Sequence, residues 1–514
     1  MEPESSVAKP SKRDFTSKLG LVAFRSSKWY ILVAACWALY TTSFYYTSTV
    51  LLIPFTMTKQ AGVPEDGVQI YAGVMMACYS VILVIGGPLA GYWADIGDSK
   101  KRPIMVAQTF LLISTVILWK GNHVAVLIAG RLCHGVAGSI FWSAGQALLA
   151  DTFGAESIGN AVGYVDLSSS LGYLLAPILT GVLLDKSGVD AVYGMSLGFA
   201  CISFLISAAM IETKKQEDDG QATSVTTAPD LSGTLAGRLR LARFLLRSRR
   251  MLAACLGCFV AGLVLVTYDA IAPVHMERTY HWGPWEVGLA LGAWYGPKML
   301  SIIPGTLADR FGARWMTVAG FVGCVPCFLA VAFATDDTSR SKALFILMTV
   351  CLSITISFAN TPITAEIIYV LDDKKRTNPE LFGATRASGL GFGFFLFSWA
   401  LGATIGSLSC AKIVDSVSWD AAVYSLAGWC VAGAVICLIW TGAREKQPKL
   451  QVTAAVTIGS DSEAGESQEK IICPKLDLGD LGDDPVHWDS ELGDAHITAR
   501  RTSRRYIYRQ FITF

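Results

Sequence analysis

Apolar runs long enough to cross a bilayer, about 17–25 residues each, dominate the pattern along this chain. Short polar islands separate them, and this alternation predicts membrane-spanning α-helices. The runs form two groups of six, near 29–53, 68–94, 103–120, 124–150, 157–184 and 190–211, and near 251–276, 284–308, 315–334, 343–370, 380–411 and 417–441. Two groups of six helices on either side of a polar segment indicate a duplicated transporter.

The pattern therefore predicts an all-α membrane protein with twelve transmembrane helices. The whole chain divides into five consecutive segments. These are an N-terminal tail 1–28, a first six-helix half 29–211, a linker 212–250, a second six-helix half 251–441 and a C-terminal tail 442–514. In the linker, leucines alternate with arginines over 235–250, which predicts a basic amphipathic helix on the membrane surface.

Composition agrees with a membrane protein and excludes several function classes. The chain is 52% hydrophobic and 16% charged, whereas a soluble domain carries about 25% charged residues. The net charge of +1 gives no basic field for a nucleic acid. The thirteen cysteines are mostly isolated in apolar runs. The Cys-x-x-Cys pairs at 255–258 and 324–327 lack a second pair, so we expect packing and no metal site.

Basic residues predict the orientation of the helices. If the N-terminus is cytoplasmic, the inner loops contain the basic clusters at 100–102, 310–314 and 374–376 and the arginines of 238–250. The outer loops hold few basic residues. Both ends are therefore expected in the cytoplasm, with the cell membrane as the predicted location and a vacuolar or vesicular membrane as the alternative. The polar residues 1–28 do not have the pattern of a cleavable signal.

A short motif occurs twice, once in each half. Gly-x-x-Ala-Asp spans 91–95 and again 305–309, each time between the second and third helix of its half. Glycine allows close helix approach, and an acid at a helix end can pair with arginine or with a neighbouring helix terminus. We expect a gating latch in each half, with two solvated loops as the alternative. The latch residues are Gly91, Asp95, Lys101, Arg102, Gly305, Asp309, Arg310 and Gly312.

The second copy resembles the conserved Gly-x-Leu-Ala-Asp-Arg-x-Gly loop of the major facilitator superfamily, whereas the first departs from it at Ile96. Residues 130–138 resemble the family's Arg-x-x-x-Gly-x-x-Gly motif, which implies a role for Arg131 in proton transfer. Helix 5 resembles the antiporter signature through Gly172, Pro177 and Gly181, although alanine and threonine replace two of its glycines.

The order of motifs over about 29–441 is similar to that of the drug:proton antiporter branch, which includes fungal efflux proteins and vesicular amine carriers. The resemblance implies the major facilitator fold. The amine carriers have acids in helices 1 and 10 that help to hold the amine. This chain has Tyr45 and Ser357 near those places, so the resemblance does not imply a monoamine substrate.

Four ionisable residues inside the predicted helices are candidates for proton coupling, because charges within a membrane are costly and usually functional. They are Arg131, Asp166, Asp269 and Glu366. Alternatively, the side chain of Arg131 extends to the membrane–water interface. For Glu366 the alternative is an ion pair with the basic cluster at 374–376. Asp166 or Asp269 could also hold a cationic group of the substrate. His134 is expected to be a packing residue, with a role in a proton relay as the alternative.

Aromatic residues near the middle of the predicted helices are candidates for substrate binding, together with Asp269. They are Tyr45, Trp142, Trp294 and Tyr295, and packing is the alternative for each.

Taken together, the sequence predicts a monomeric, proton-coupled exporter of a small organic compound, a drug or secondary metabolite, that works by alternating access. The alternatives are a proton symporter for uptake and a carrier that loads an amine-like compound into vesicles or vacuoles. No nucleophile–base motif, metal-ligand cluster or phosphate-binding loop occurs, so we expect neither an enzyme nor a cofactor.

Overall fold

The computed structural model describes residues 22–96, 99–153, 158–211, 235–378 and 388–442 of the 514-residue chain. These ranges are helical with short connections and contain no strand. They belong to one compact unit. A second unit, residues 444–507, lies outside the described ranges.

The first half consists of helices α1 to α6. Four are separate: α1 (Lys28–Lys59), α2 (Val68–Ile96), α3 (Lys101–Lys120) and α4 (Val124–Thr152). The stretch Ile158–Ala209 is interrupted at Gly188, where φ is 79°, and this divides it into α5 (158–187) and α6 (189–209). A positive φ favours glycine, so a single residue makes the connection between the fifth and sixth helices.

The second half follows the short amphipathic helix α7 (Leu235–Leu246). Its elements are α8 (Arg249–Tyr280), α9 (Pro284–Tyr295), α10 (Ile302–Phe311), α11 (Ala313–Ala332), α12 (Ser339–Thr377), α13 (Ser388–Ser416) and α14 (Trp419–Trp440). On α7 the buried side chains are Leu241 and Leu245, whereas Arg240 and Arg243 are exposed, as expected for an amphipathic helix.

The prediction of one continuous helix over 284–308 is wrong. The 3-10 segment Gly296–Ser301 separates α9 from α10. Pro297 has no backbone N–H to donate within an α-helix, and glycine before it weakens the helix further. The predicted start of the eleventh helix at 380 lies outside the described residues, and α13 is described from Ser388 onwards.

Nine helices in the described ranges are long and apolar enough to cross a membrane. One of them, Gly163–Ala209, contains most of α5 and all of α6. The more polar α1 and the interrupted α9–α10 segment complete the set. The protein is thus an all-α membrane protein with twelve transmembrane helices in two six-helix halves, α1–α6 and α8–α14.

The two halves repeat one contact. At the start of α3, the Lys101 Nζ donates to the carbonyl oxygens of Ala208 (2.7 Å) and Met210 (2.5 Å), at and just beyond the end of α6. At the start of α11, Arg314 donates in the same way to the carbonyl oxygen of Leu438, near the end of α14. The last carbonyls of a helix lack intrahelical partners, so in each half a basic side chain of the third helix caps the sixth.

The halves meet along two seams, α2 against α13 and α5 against α9. Contact is close at the far end of the bundle, the end at which α1 stops. There a Cβ on Gly73 would lie 2.6 Å from the carbonyl oxygen of Ser407, and one on Gly181 would lie 2.6 Å from that of Pro284. At the near end, where α1 begins, a Cβ on Gly91, Gly163 or Gly393 would meet no described atom within 4 Å. On the α2–α13 seam close contact extends to Gly87, where a Cβ would lie 2.8 Å from Leu396 Cδ2.

Candidate functional site

Asp269 lies in the middle of the bundle, where the two halves meet. Its side chain is buried, with 5% of the residue exposed. The carboxylate accepts a hydrogen bond at Oδ2 from the Tyr46 hydroxyl of α1 (3.1 Å) and at Oδ1 from the Trp294 indole nitrogen of α9 (2.8 Å). One donor belongs to each half, so the carboxylate connects the two halves through neutral donors.

Aromatic rings from both halves surround this carboxylate. We call Tyr46, Tyr79, Tyr173, Trp294 and Tyr295 the aromatic cluster. Tyr46 packs on Tyr79 with ring centroids 5.1 Å apart. Tyr173 of the first half stacks on Tyr295 of the second, at 5.7 Å and 15°. The buried hydroxyl of Tyr295 interacts electrostatically with Asp269. The cluster thus offers flat apolar faces with a few polar atoms, as organic-ligand sites do.

Arg131 on α4 is fully buried beside the cluster, at 0% exposure. Its Nε donates to the carbonyl oxygen of Met75 (3.2 Å), and its Nη1 lies 3.1 Å from the Nδ1 of His134. The guanidinium carbon is 5.6 Å from the Tyr46 ring and 5.1 Å from the Tyr79 ring. Arg131 therefore does not extend to the interface, and it contacts the tyrosine that binds Asp269.

Lys298 is a charged residue of the site that the sequence interpretation missed. It lies on the 3-10 segment Gly296–Ser301 and is partly exposed. Its Nζ is 4.0 Å from the ring centroid of Trp294 and 4.4 Å from that of Tyr295. The ammonium also interacts electrostatically with Asp269. A charge inside the predicted span 284–308 was the available signal, and the preceding Gly-Pro pair marked a helix break.

The other two proton-coupling candidates lie away from Asp269. Asp166 is exposed on α5. It precedes Tyr173 by seven residues, which places both on one helix face about 10 Å apart, with Asp166 on the side of the near end. Glu366 is buried at the near end, where its Oε1 accepts from the Nε of Arg250 (2.6 Å) and from the backbone N–H of Gly442 (3.1 Å). Its basic partner is Arg250 and not the cluster at 374–376.

The structure brings three of the five substrate-binding candidates together: Asp269, Trp294 and Tyr295. Tyr45 instead points into the first half, with its hydroxyl 3.3 Å from Ser114 Oγ. Trp142 is partly buried against the core. The neighbour of Tyr45 along the chain, Tyr46, is the tyrosine that reaches Asp269, and no pattern in the sequence indicates which of two adjacent tyrosines faces the other half.

The gating-motif residues lie at the near end, and Lys101 caps α6 there. Arg102 and Arg310 are exposed. Gly312 has a φ of 91° at the turn between α10 and α11, which favours glycine. A Cβ on Gly91 would have open space, and one on Gly305 would meet only Thr361 at 3.9 Å. The side chains of Asp95 and Asp309 lie outside the described part, so the latch stays a prediction.

The antiporter-like residues of α5 are packing contacts with α1 and α9. A Cβ on Gly172 would lie 2.6 Å from the carbonyl oxygen of Tyr40 on α1. Gly181 faces Pro284 and Gly288 of α9, and the carbonyl of Pro177 also touches Gly288. Pro177 and Gly181 therefore lie in the far-end seam between the halves, whereas Gly172 packs within the first half. No group of three or more potential metal ligands occurs among the described residues.

Comparison with known proteins identifies relatives of this helix bundle. The family model described as Major Facilitator Superfamily matches residues 34–378. The MFS-type transporter ppzB of Metarhizium rileyi is 24% identical over 476 residues, covering 83% of this chain and 98% of that protein. The vesicular acetylcholine transporter of Torpedo marmorata is 22% identical over 315 residues, covering 60% of this chain and 57% of that protein.

A solved structure has the same fold. The bacterial homologue of the human lysosomal transporter Spinster, in an inward-facing and unoccupied conformation, aligns with a TM-score of 0.62 and 12% identity. The alignment covers 80% of this chain and 96% of that chain. The fold and the family expected from the motifs are confirmed, and these relatives are membrane transporters.

Proposed function

The chain belongs to the Major Facilitator Superfamily, and we propose that it is a proton-coupled exporter of a small organic compound that works by alternating access. The observation that carries the proposal is the hydrogen bond from Tyr46 to Asp269, because it connects a buried carboxylate of one half to the other half. Such a bond can couple a change in protonation to movement of the halves.

Asp269 is the proton-binding group in this proposal. The ionised carboxylate accepts charge-assisted hydrogen bonds from Tyr46 and Trp294, which are stronger than neutral ones. Protonation removes the charge and weakens the bond to Tyr46. The halves then lose a contact at mid-bundle and are freer to move. Arg131 acts through Tyr46, since its guanidinium lies against the face of that ring.

The substrate binds in the aromatic cluster. Tyr173 and Tyr295 come from opposite halves and present ring faces to each other. A flat organic molecule that enters from the near end would be stacked between rings of both halves. The far-end seam at Gly181 and Gly288 then has to open for release. Its glycines give smooth helix surfaces, which can move against each other without interlocking side chains.

Export by exchange for protons is supported by the antiporter-like α5 residues, of which Pro177 and Gly181 lie in the far-end seam. We place the near end and both termini in the cytoplasm, because the predicted inner loops are rich in lysine and arginine. We propose the cell membrane and a monomer. A vesicular or vacuolar membrane is the second candidate, which the similarity to a vesicular acetylcholine transporter favours. Uptake by proton symport is the remaining alternative.

Proton coupling can be tested with purified protein in liposomes whose lumen is more acidic than the bath. The probes are naphthol, naphthalenesulfonate and naphthylmethyl-trimethylammonium, which share a flat ring system and differ in charge. Exchange predicts accumulation of at least one probe in the acidic lumen, and an uncoupler should abolish it. Accumulation only in an alkaline lumen would indicate symport. Transport that ignores the gradient would contradict proton coupling.

A further inference from the structure

The break between α9 and α10 places a cation at the centre of the bundle. Lys298 lies on the 3-10 segment, and its ammonium rests over the rings of Trp294 and Tyr295. Trp294 is also the residue that donates to Asp269. The cation is therefore part of the aromatic cluster, in which we have proposed that the substrate binds.

The hydrogen-bonding capacity of Lys298 is not used within the described structure. An ammonium has three N–H donors, yet among the described residues Lys298 has ring contacts and no hydrogen bond or salt bridge to an acceptor. Among the described residues the Lys298 ammonium forms no salt bridge to Asp269, whose carboxylate accepts from Tyr46 and Trp294. A charge in the middle of a membrane protein is costly without a partner.

The other cation of the site is already satisfied. Arg131 is fully buried, donates to the carbonyl of Met75 and contacts His134. It also donates to the Met76 sulfur, and its full burial keeps its remaining N–H groups away from an incoming ligand. Lys298 is partly exposed, so it is the cation that an incoming molecule can reach.

The position of Lys298 also argues against a cationic substrate. Aromatic faces beside a carboxylate are a good site for an organic cation, and here Trp294, Tyr295 and Asp269 form such a site. The ammonium of Lys298 occupies it. A cation from solution would have to displace this tethered one, whereas an anion would complete its hydrogen bonds.

We propose that the transported compound is a flat organic anion whose negative group binds the Lys298 ammonium while its ring stacks in the aromatic cluster. This rests on the proposed function, since it assumes that the aromatic cluster is the substrate site. It replaces the idea that Asp269 holds a cationic group of the substrate.

Equilibrium binding to the purified full-length protein in detergent tests the proposal. Isothermal titration calorimetry would compare naphthalenesulfonate with naphthylmethyl-trimethylammonium, both permanently charged. The native protein should bind the anion and bind the cation at least about tenfold more weakly, as for loss of a hydrogen bond to a charged group. Preference for the cation would overturn the proposal.

The variant Lys298→Gln gives a readout that misfolding cannot mimic. It should bind the anion roughly tenfold to a hundredfold more weakly, and it should gain affinity for the cation because the aromatic faces and Asp269 become available. Lys120→Gln is the matched control, since Lys120 also lies over a ring, 4.1 Å from that of Trp119, but is exposed at the far end. It should leave both affinities unchanged. Unaltered anion binding in Lys298→Gln would overturn the proposal.

The experiment separates this inference from the proposed function. Binding is measured without a proton gradient. Tighter binding of the anion than of the cation would therefore support the anion proposal even if transport proves not to be coupled to protons. Conversely, proton-driven movement of the neutral or cationic naphthalene with no anion binding would support the proposed function and overturn the anion proposal.

Discussion

The Tyr46 hydroxyl donates a 3.1 Å hydrogen bond to Asp269 Oδ2 and so joins α1 of the first half to α8 of the second. The ring of the same tyrosine lies 5.6 Å from the guanidinium carbon of Arg131 on α4. Tyr46 therefore contacts both a buried cation of its own half and the carboxylate of the other half. This arrangement is the structural basis of the proposed coupling.

Replacing Tyr46 with phenylalanine should weaken coupling while leaving the fold intact. The change removes only the hydroxyl, and a hydrogen bond to a charged group is worth about 1.5–3 kcal/mol. We expect proton-driven uptake of the probe into liposomes to fall by about tenfold or more. Tyr45→Phe is the matched control, because that hydroxyl contacts Ser114 within one half. Equal effects of the two changes would count against the role of Tyr46.

Gly181→Val should block the transport cycle at the far-end seam. A Cβ at this position would lie 2.6 Å from the carbonyl oxygen of Pro284. The valine side chain would therefore clash with α9 and prevent the far-end seam from closing. Transport should be lost, with a destabilisation of about 1–3 kcal/mol typical of overpacking. Gly194→Ala, where a Cβ meets no described atom within 4 Å, should keep full transport. Thermal unfolding and liposome transport would be measured side by side.

Arg131→Lys should abolish coupled transport in a folded protein. The guanidinium contacts the Met75 carbonyl, the His134 ring and two tyrosine faces at once. A lysine ammonium keeps the charge but cannot reproduce this planar set of donors. Normal yield and thermal stability with lost transport is the expected result. Transport at the native rate would mean that charge alone is sufficient.

Glu366→Gln should destabilise the near end without removing proton coupling. The 2.6 Å ion pair of Glu366 with Arg250 is largely buried, at 3% and 24% side-chain exposure, so its loss should cost about 2 kcal/mol. Lys342→Gln breaks an equally short pair with Asp337 that is 32% and 48% exposed, and it should change stability by less than about 1 kcal/mol. Loss of gradient-driven transport in a stable Glu366→Gln protein would instead support its predicted role in proton coupling.

Helix number and family could be predicted because both depend on local patterns. Apolar runs locate the helices, and the motif loops are contiguous in sequence. The break before Lys298 was missed although Gly296 and Pro297 marked it, because the surrounding run of 284–308 is apolar enough for one helix.

The partners of the site residues could not be predicted, because they depend on which helix faces meet. Tyr45 and Tyr46 are adjacent and chemically equal, yet one contacts Ser114 within its own half and the other reaches Asp269 across the bundle. In the same way, Glu366 has several basic residues nearby in sequence but pairs with Arg250 from another helix. Tertiary packing sets these contacts.

The central claim is that Asp269 carries the proton, and Asp269→Asn tests it most directly. Asparagine has nearly the same shape but does not ionise: its Oδ1 can still accept from the Trp294 indole, and its amide nitrogen can donate to the Tyr46 hydroxyl. In liposomes with an acidic lumen, the account predicts that the variant still binds and equilibrates the probe but no longer concentrates it, whereas Asp166→Asn still does. Gradient-driven accumulation by Asp269→Asn at the native level would contradict the account.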